Sequence, residues 1–116
     1  MDLKIVKKNN TLFVSLNGDI DHHNSEIIKD KVDEGIIKYH CKNLIFDMST
    51  VDFMDSSGIG VFIGRYKTIS KRGGQVCITN IDAQLDRILE VSGLYRILKV
   101  YDTVKEAIEG IRGKSE

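Results

Sequence analysis

Apolar residues recur along this chain in two rhythms, one of period two and one close to four. Leu12, Val14 and Leu16 occupy alternate positions of residues 11–16, the pattern of a strand with one buried face. Asn9-Asn10 predicts a turn after a weaker strand, Lys4-Ile5-Val6, so the two strands form an N-terminal hairpin. Over residues 24–39 the spacing lengthens. Ile28, Val32 and Ile36 recur every fourth residue, flanked by Ile27 and Ile37, while Glu26, Lys29, Lys31 and Asp33 lie mostly on the other face. This is an amphipathic helix. Leu44-Ile45-Phe46 is a short unbroken apolar run, as in a strand covered on both faces, and it is expected to end at Asp47 before a loop over residues 49–55.

The helical spacing returns over residues 57–72, with Ile59, Phe62, Ile63, Tyr66 and Ile69 read as its apolar face and Gly73-Gly74 as its stop. Residues 75–81 read as another strand. Asp82 is placed to cap a third helix with a Leu85, Ile88 and Leu89 stripe, which stops at Ser92-Gly93-Leu94. A last strand is expected within residues 97–101. Thr103-Val104-Lys105-Glu106 has the form of a capping box before a final helix faced by Val104, Ala107, Ile108 and Ile111. Strands alternating with helices imply β-α-β crossovers. The expected fold class is therefore α/β: one domain over residues 1–112, a mixed, largely parallel sheet with an antiparallel N-terminal hairpin, and about four helices. Residues 113–116 are expected to form a flexible tail.

Composition narrows the function. The 116 residues suffice for one core without disulfides or metal but not for two. Seventeen basic residues balance 17 acidic ones with no basic run, so the electrostatic footprint of a nucleic-acid binder is missing. Charges interrupt the apolar residues of positions 1–8 before a signal-peptide core could form, and no run approaches the length of a membrane span. A cytoplasmic protein without a membrane role is the expectation. Cys77, in Val76-Cys77-Ile78, reads as a buried small hydrophobe, and no disulfide with the distant Cys41 is expected.

The segment Phe53-Met54-Asp55-Ser56-Ser57-Gly58-Ile59-Gly60 carries the most chemical information, because it joins a buried strand to a helix and sets two hydroxyls at that helix's start. Ser56 has two readings there: it caps the helix, as serines commonly do, or it accepts a phosphate. A phosphate would meet first-turn amides without intrahelical partners and the positive end of the helix dipole. Gly58 and Gly60 lower helix propensity, which implies a close approach to the backbone, either by a neighbouring strand or by a docked partner.

Other chemistry is weaker. The spacing Gly58, Gly60, Gly64 is not a dinucleotide fingerprint, and neither a lysine-bearing phosphate loop nor a nucleophile elbow is present, so a nucleotide-binding hydrolase is a poor fit. Asp47, Asp52 and Asp55 could share a magnesium ion, though solvated loop and cap acids explain them as well. Adjacent His22 and His23 diverge and have no further ligand at metal spacing, and His40-Cys41 is a lone pair. No catalytic residue, cofactor or metal is assigned.

Four stretches together resemble the anti-sigma factor antagonists, which are STAS-domain proteins: Gly18-Asp19-Ile20-Asp21-His22-His23, residues 53–60, Gly64-Arg65-Tyr66-Lys67 and Ser92-Gly93-Leu94. The resemblance runs in register over almost the whole chain, with Asp19 and Ile59 as conservative variants. The Asp-His-His stretch and the Asp-Ser-Ser-Gly form point to the family's sporulation members. The resemblance implies a partner switch in which the unmodified protein binds an anti-sigma factor that is also a serine kinase, freeing a sigma factor. It implies phosphorylation by that kinase on Ser56 and resetting by a PP2C-type phosphatase, with Asp21, Asp55, Ser56, Ser57, Gly58 and Ile59 at the docking surface. Nucleotide binding is a secondary implication. Family alternatives are a general-stress antagonist, a scaffold subunit or a module cut from a transporter, the last disfavoured by the lack of a hydrophobic segment.

Overall fold

The computed structural model describes the backbone of residues 1–115 and the side chains of residues 1–113. Five strands and four α-helices follow in the order β1 (Asp2–Lys8), β2 (Thr11–Asn17), α1 (His22–Tyr39), β3 (Asn43–Thr50), α2 (Ser56–Lys71), β4 (Val76–Thr79), α3 (Ala83–Ser92), a 3-10 turn (Leu94–Arg96), β5 (Lys99–Tyr101) and α4 (Val104–Ser115). The sheet order is β1-β2-β3-β4-β5, antiparallel between β1 and β2 and parallel thereafter. The hairpin turns at Asn9, whose φ of 56° is a conformation that asparagine tolerates.

Because the strand order never reverses, crossovers of one hand must place every connecting helix on the same face of the sheet. The core agrees. Leu12, Val14, Leu16, Leu44, Phe46, Met48, Val76 and Ile78 pack with Ile28, Val32 and Ile36 of α1, Val61, Phe62 and Ile69 of α2, and Leu85 and Leu89 of α3. Phe46 and Phe62 meet edge to face, their ring centroids 5.0 Å apart. The alternate residues Ile45 and Cys77 point the other way and are covered by Ala107 and Ile111 of α4. Cys41 and Cys77 are both buried, in different clusters, and neither is in a disulfide. Burial pushes the Cys77 thiol up to about 11 against the opposing charge of Lys99, so it is an unreactive core residue.

Three details differ from the sequence reading. Strand β3 does not stop at Asp47 but runs to Thr50, because pairing with β2 continues to Asn17 and the Thr50 hydroxyl donates to the Leu16 carbonyl at 2.8 Å. In α2 the inward positions are Val61 and Phe62, while Ile63 faces outward and is 36% exposed. Helix α4 continues past Ile111 to Ser115, so residues 113–115 of the expected tail are helical, and Glu116 lies outside the described residues. Among the described residues no helix is long and apolar enough to cross a membrane.

Candidate functional site

The β2–α1 and β3–α2 loops leave the same end of the parallel sheet and zip together. The Ile20 amide donates to the Phe53 carbonyl at 2.9 Å, and the Asp55 amide donates back to the Ile20 carbonyl at 3.0 Å, around a parallel bridge between Ile20 and Met54. Both bridge side chains are buried, so the loops are anchored in the core although they sit at the rim. This zipper sets the N-termini of α1 and α2 side by side. Each has an aspartate cap: Asp21 accepts from the Asn24 amide and Asp55 from the Ser57 amide, both at 2.8 Å.

The cap of α2 is therefore Asp55, not Ser56. Ser56 is the first helical residue and is exposed, while Asp55 satisfies the orphan amide that a serine cap would have taken. Ser57 is half-buried and turns toward α1, where its hydroxyl lies 3.4 Å from His22 Nδ1. The two adjacent serines thus differ in access: Ser56 meets solvent and Ser57 meets a helix.

The two glycines separate as well. A Cβ on Gly58 would lie 2.5 Å from Met54 Cγ and 2.8 Å from Ile20 Cγ2, so Gly58 is needed for α2 to press onto the loop zipper. A Cβ on Gly60 would meet nothing within 4 Å. Internal packing explains Gly58 and leaves Gly60 without an internal reason.

On the other flank of Ser56, Ile59 borders an apolar hollow of about 300 Å³ with Ile88 and Val91 of α3. Val91 is 84% exposed and Phe53 is 42% exposed, apolar surface that the domain itself leaves uncovered. The sequence reading missed Val91. Its signal was a β-branched apolar residue one position short of the helical repeat that carries Leu85, Ile88 and Leu89.

The three carboxylates weighed as a magnesium site are engaged separately. Asp47 accepts from the Ser49 amide at 3.0 Å and from Asn80 Nδ2 at 3.1 Å, Asp55 caps α2, and Asp52 is exposed to solvent near Asp82. Among the described residues no group of three or more His, Cys, Asp or Glu is arranged to hold a metal ion. The neighbouring Asp82 carboxyl, which can share a proton with it and repels it when both are ionised, and then the charge of Asp19 push the exposed Asp52 carboxyl above its ordinary value. A folded-state value above the unfolded one contributes stability at low pH that is lost as pH rises through the folded value. At neutral pH the ionised pair therefore opposes folding. Asp52→Asn is expected to raise the unfolding midpoint at pH 7 and to lose that advantage by pH 3, and thermal melts of both proteins across that range check it.

Comparison with known proteins places these features in a family context. The STAS domain profile matches residues 2–107. The chain is 37% identical over 97 residues to the anti-sigma F factor antagonist of Paenibacillus polymyxa, covering 84% of this chain and 83% of the relative. The anti-sigma factor antagonist SpoIIAA in its unphosphorylated form superposes with a TM-score of 0.83 at 27% identity, covering 97% of each chain. The Bacillus cell fate determinant SpoIIAA in its phosphorylated form superposes with a TM-score of 0.73 at 26% identity, covering 95% of this chain and 99% of that one.

Proposed function

The chain belongs to the STAS domain family, and from that premise we propose that it is an anti-sigma factor antagonist switched by phosphorylation of Ser56. Unmodified, it binds an anti-sigma factor that is also a serine kinase and so frees a sigma factor. The kinase then phosphorylates Ser56, the complex dissociates, and a PP2C-type phosphatase restores the binding form. The protein acts by binding in the cytoplasm, without catalysis of its own, and the Asp-His-His and Asp-Ser-Ser-Gly segments favour a role in sporulation.

The observation that carries this reading is the placement of Ser56: an exposed hydroxyl at the first position of α2, relieved of capping by Asp55. A kinase can reach it without unfolding anything. The phosphate would sit at the positive end of the helix, where an anion is tolerated. The same added charge, about −1.5 to −2 at neutral pH, would have to be desolvated in any interface closed over Ser56. That asymmetry between a tolerant fold and an intolerant interface is what a partner switch requires.

The docking surface would be built from Asp21, Asp55, Ser56, Ser57 and Ile59, with Gly58 acting from beneath by seating α2. The apolar hollow beside Ile59 supplies area that a partner would bury, and Ser56 supplies the charge control at its edge. To test the acceptor, the protein is incubated with its cognate kinase and ATP and mapped by mass spectrometry. Phosphate on Ser56 is expected. Modification chiefly on Ser57, or none by a kinase shown to be active, would overturn the assignment.

A further inference from the structure

A cavity of about 420 Å³ lies between α4 and the turn end of the β1–β2 hairpin, on the face of the sheet opposite the main core. Strand register builds it. Lys8 pairs with Thr11 and Thr11 with Asn43, so three polar side chains from β1, β2 and β3 stand in a row. Two residues along the strands, about 7 Å away, Phe13 pairs with Ile45 on the same face. Helix α4 returns antiparallel to these strands, and four of its residues rise about 6 Å, so Arg112 stands by the polar row and Ile108 by the apolar one. The cleft is thus polar at one end and apolar at the other. Val6, paired with Phe13 and 47% exposed, carries the apolar strip beyond it.

The polar end has donors without acceptors. Asn43 is only 7% exposed, and its Oδ1 accepts from the Gln75 amide at 2.9 Å, which fixes the orientation of the side-chain amide and leaves Nδ2 without a partner among the described residues. The unpartnered atoms that are sealed from solvent are Ser25 Oγ, Arg65 Nε and Nη1, and Gln75 Oε1. Asn43 Nδ2 is not among them, so it keeps an opening, and this cavity is the opening that Asn43 lines. The half-buried Thr11 has no side-chain partner among the described residues either. Among those residues no Asp or Glu lines the cavity, and neither Lys8 nor Arg112 is in an ion pair, Glu109 one turn away included. The negative end of α4 contributes about half a charge against these two cations.

We propose that this cleft binds a small amphipathic carboxylate. Lys8 and Arg112 attract the anionic head, the Asn43 amide and the Thr11 hydroxyl donate to it, and its apolar body lies on Phe13, Ile45 and Ile108. Thr11 and Asn43 begin β2 and β3, whose other ends lead into the loops carrying Asp21 and Ser56. The cleft is therefore at the opposite end of the sheet from the switch, and it stands whether or not Ser56 is phosphorylated.

The test is an amide NMR titration of the full chain with hexanoate, acetate and 1-hexanol in turn, at ionic strength held constant with chloride. Hexanoate should give saturable shifts centred on residues 6–13, 43–45 and 108–112. Acetate, lacking the methylenes to bury, should bind about tenfold more weakly or worse. The uncharged 1-hexanol should bind about threefold more weakly or worse. Lys8→Gln and Arg112→Gln alter exposed side chains, so both proteins should melt as the wild type does while each loses about threefold or more in hexanoate affinity. Shifts that do not saturate or that centre elsewhere would overturn the site, as would 1-hexanol binding as tightly as hexanoate or both variants binding it unchanged. Movement of the same resonances on diluting the protein alone would mean that a second copy covers the cleft, and would overturn it too.

Discussion

Ser56→Asp is expected to lose partner binding by about 100-fold or more while unfolding within a few degrees of the wild type. The loss follows from desolvation. A carboxylate buried in a protein interface without a counter-charge carries an effective penalty of several kcal/mol, and about 2.7 kcal/mol suffices for 100-fold. The fold resists because position 56 is exposed and starts α2, where an acidic side chain gains about 0.3–1 kcal/mol from the helix dipole. Ser56→Ala separates charge from capping. Since Asp55 holds the Ser57 amide at 2.8 Å, removing the Ser56 hydroxyl forfeits no cap. It should therefore bind as the wild type does and remain bound when kinase and ATP are supplied. Thermal unfolding and partner affinity measured in one buffer decide the matter. An aspartate variant that binds normally, or that fails to bind only because it is unfolded, removes the electrostatic switch.

The elements legible in the sequence were those whose period is enforced by a single buried face. Ile28, Val32 and Ile36 could be read as one stripe because α1 packs on the sheet along its length, and Leu12, Val14 and Leu16 because β2 buries every second residue. Asp82 was readable as a cap because it stands three residues before Leu85, the first residue of the apolar stripe of α3, and it does accept from the Leu85 amide at 2.7 Å. The errors arose where the deciding partner is distant in the chain. The extension of β3 through Ser49 and Thr50 depends on the carbonyl of Leu16, which no local pattern reveals. Whether Val61 or Ile63 points inward depends on the angle at which α2 meets the sheet.

The candidate site shows the same division. Asp55-Ser56 offers two adjacent cap-forming residues, and local preference hardly distinguishes them. The choice is made by the zipper, because the Asp55 amide is fixed on the Ile20 carbonyl and so holds the residue in the extended conformation a cap needs. The proximity of His22 to Ser57, 35 residues apart, has the same origin. The sequence could mark Gly58 and Gly60 as a pair of helix-weakening residues, but not their opposite surroundings. That contrast gives a test in which stability and binding move in different directions.

Gly58→Ala is expected to destabilise the fold, and Gly60→Ala to stabilise it while impairing partner binding. At Gly58 the added methyl would meet Met54 and Ile20 at 2.5–2.8 Å, and these side chains are 2% and 0% exposed, with no solvent to move into. Overpacking of this kind costs about 1–3 kcal/mol, offset by no more than about 1 kcal/mol of helix propensity. Relief requires α2 to lift from the Ile20–Met54 bridge, which displaces Asp55 and Ser56, so binding should fall with stability. At Gly60 the methyl would meet nothing within 4 Å, and the residue lies inside α2 without a positive φ. The ordinary gain from replacing a helical glycine, about 0.5–1 kcal/mol, should be realised. If a partner closes on the N-terminal turns of α2, the same methyl holds it off, and affinity drops in a protein that is more stable than the wild type. Urea unfolding and partner titration of the two variants check both signs. A Gly60→Ala protein that gains stability and binds as before would place the docking surface elsewhere, on the Ile59, Ile88 and Val91 side of Ser56.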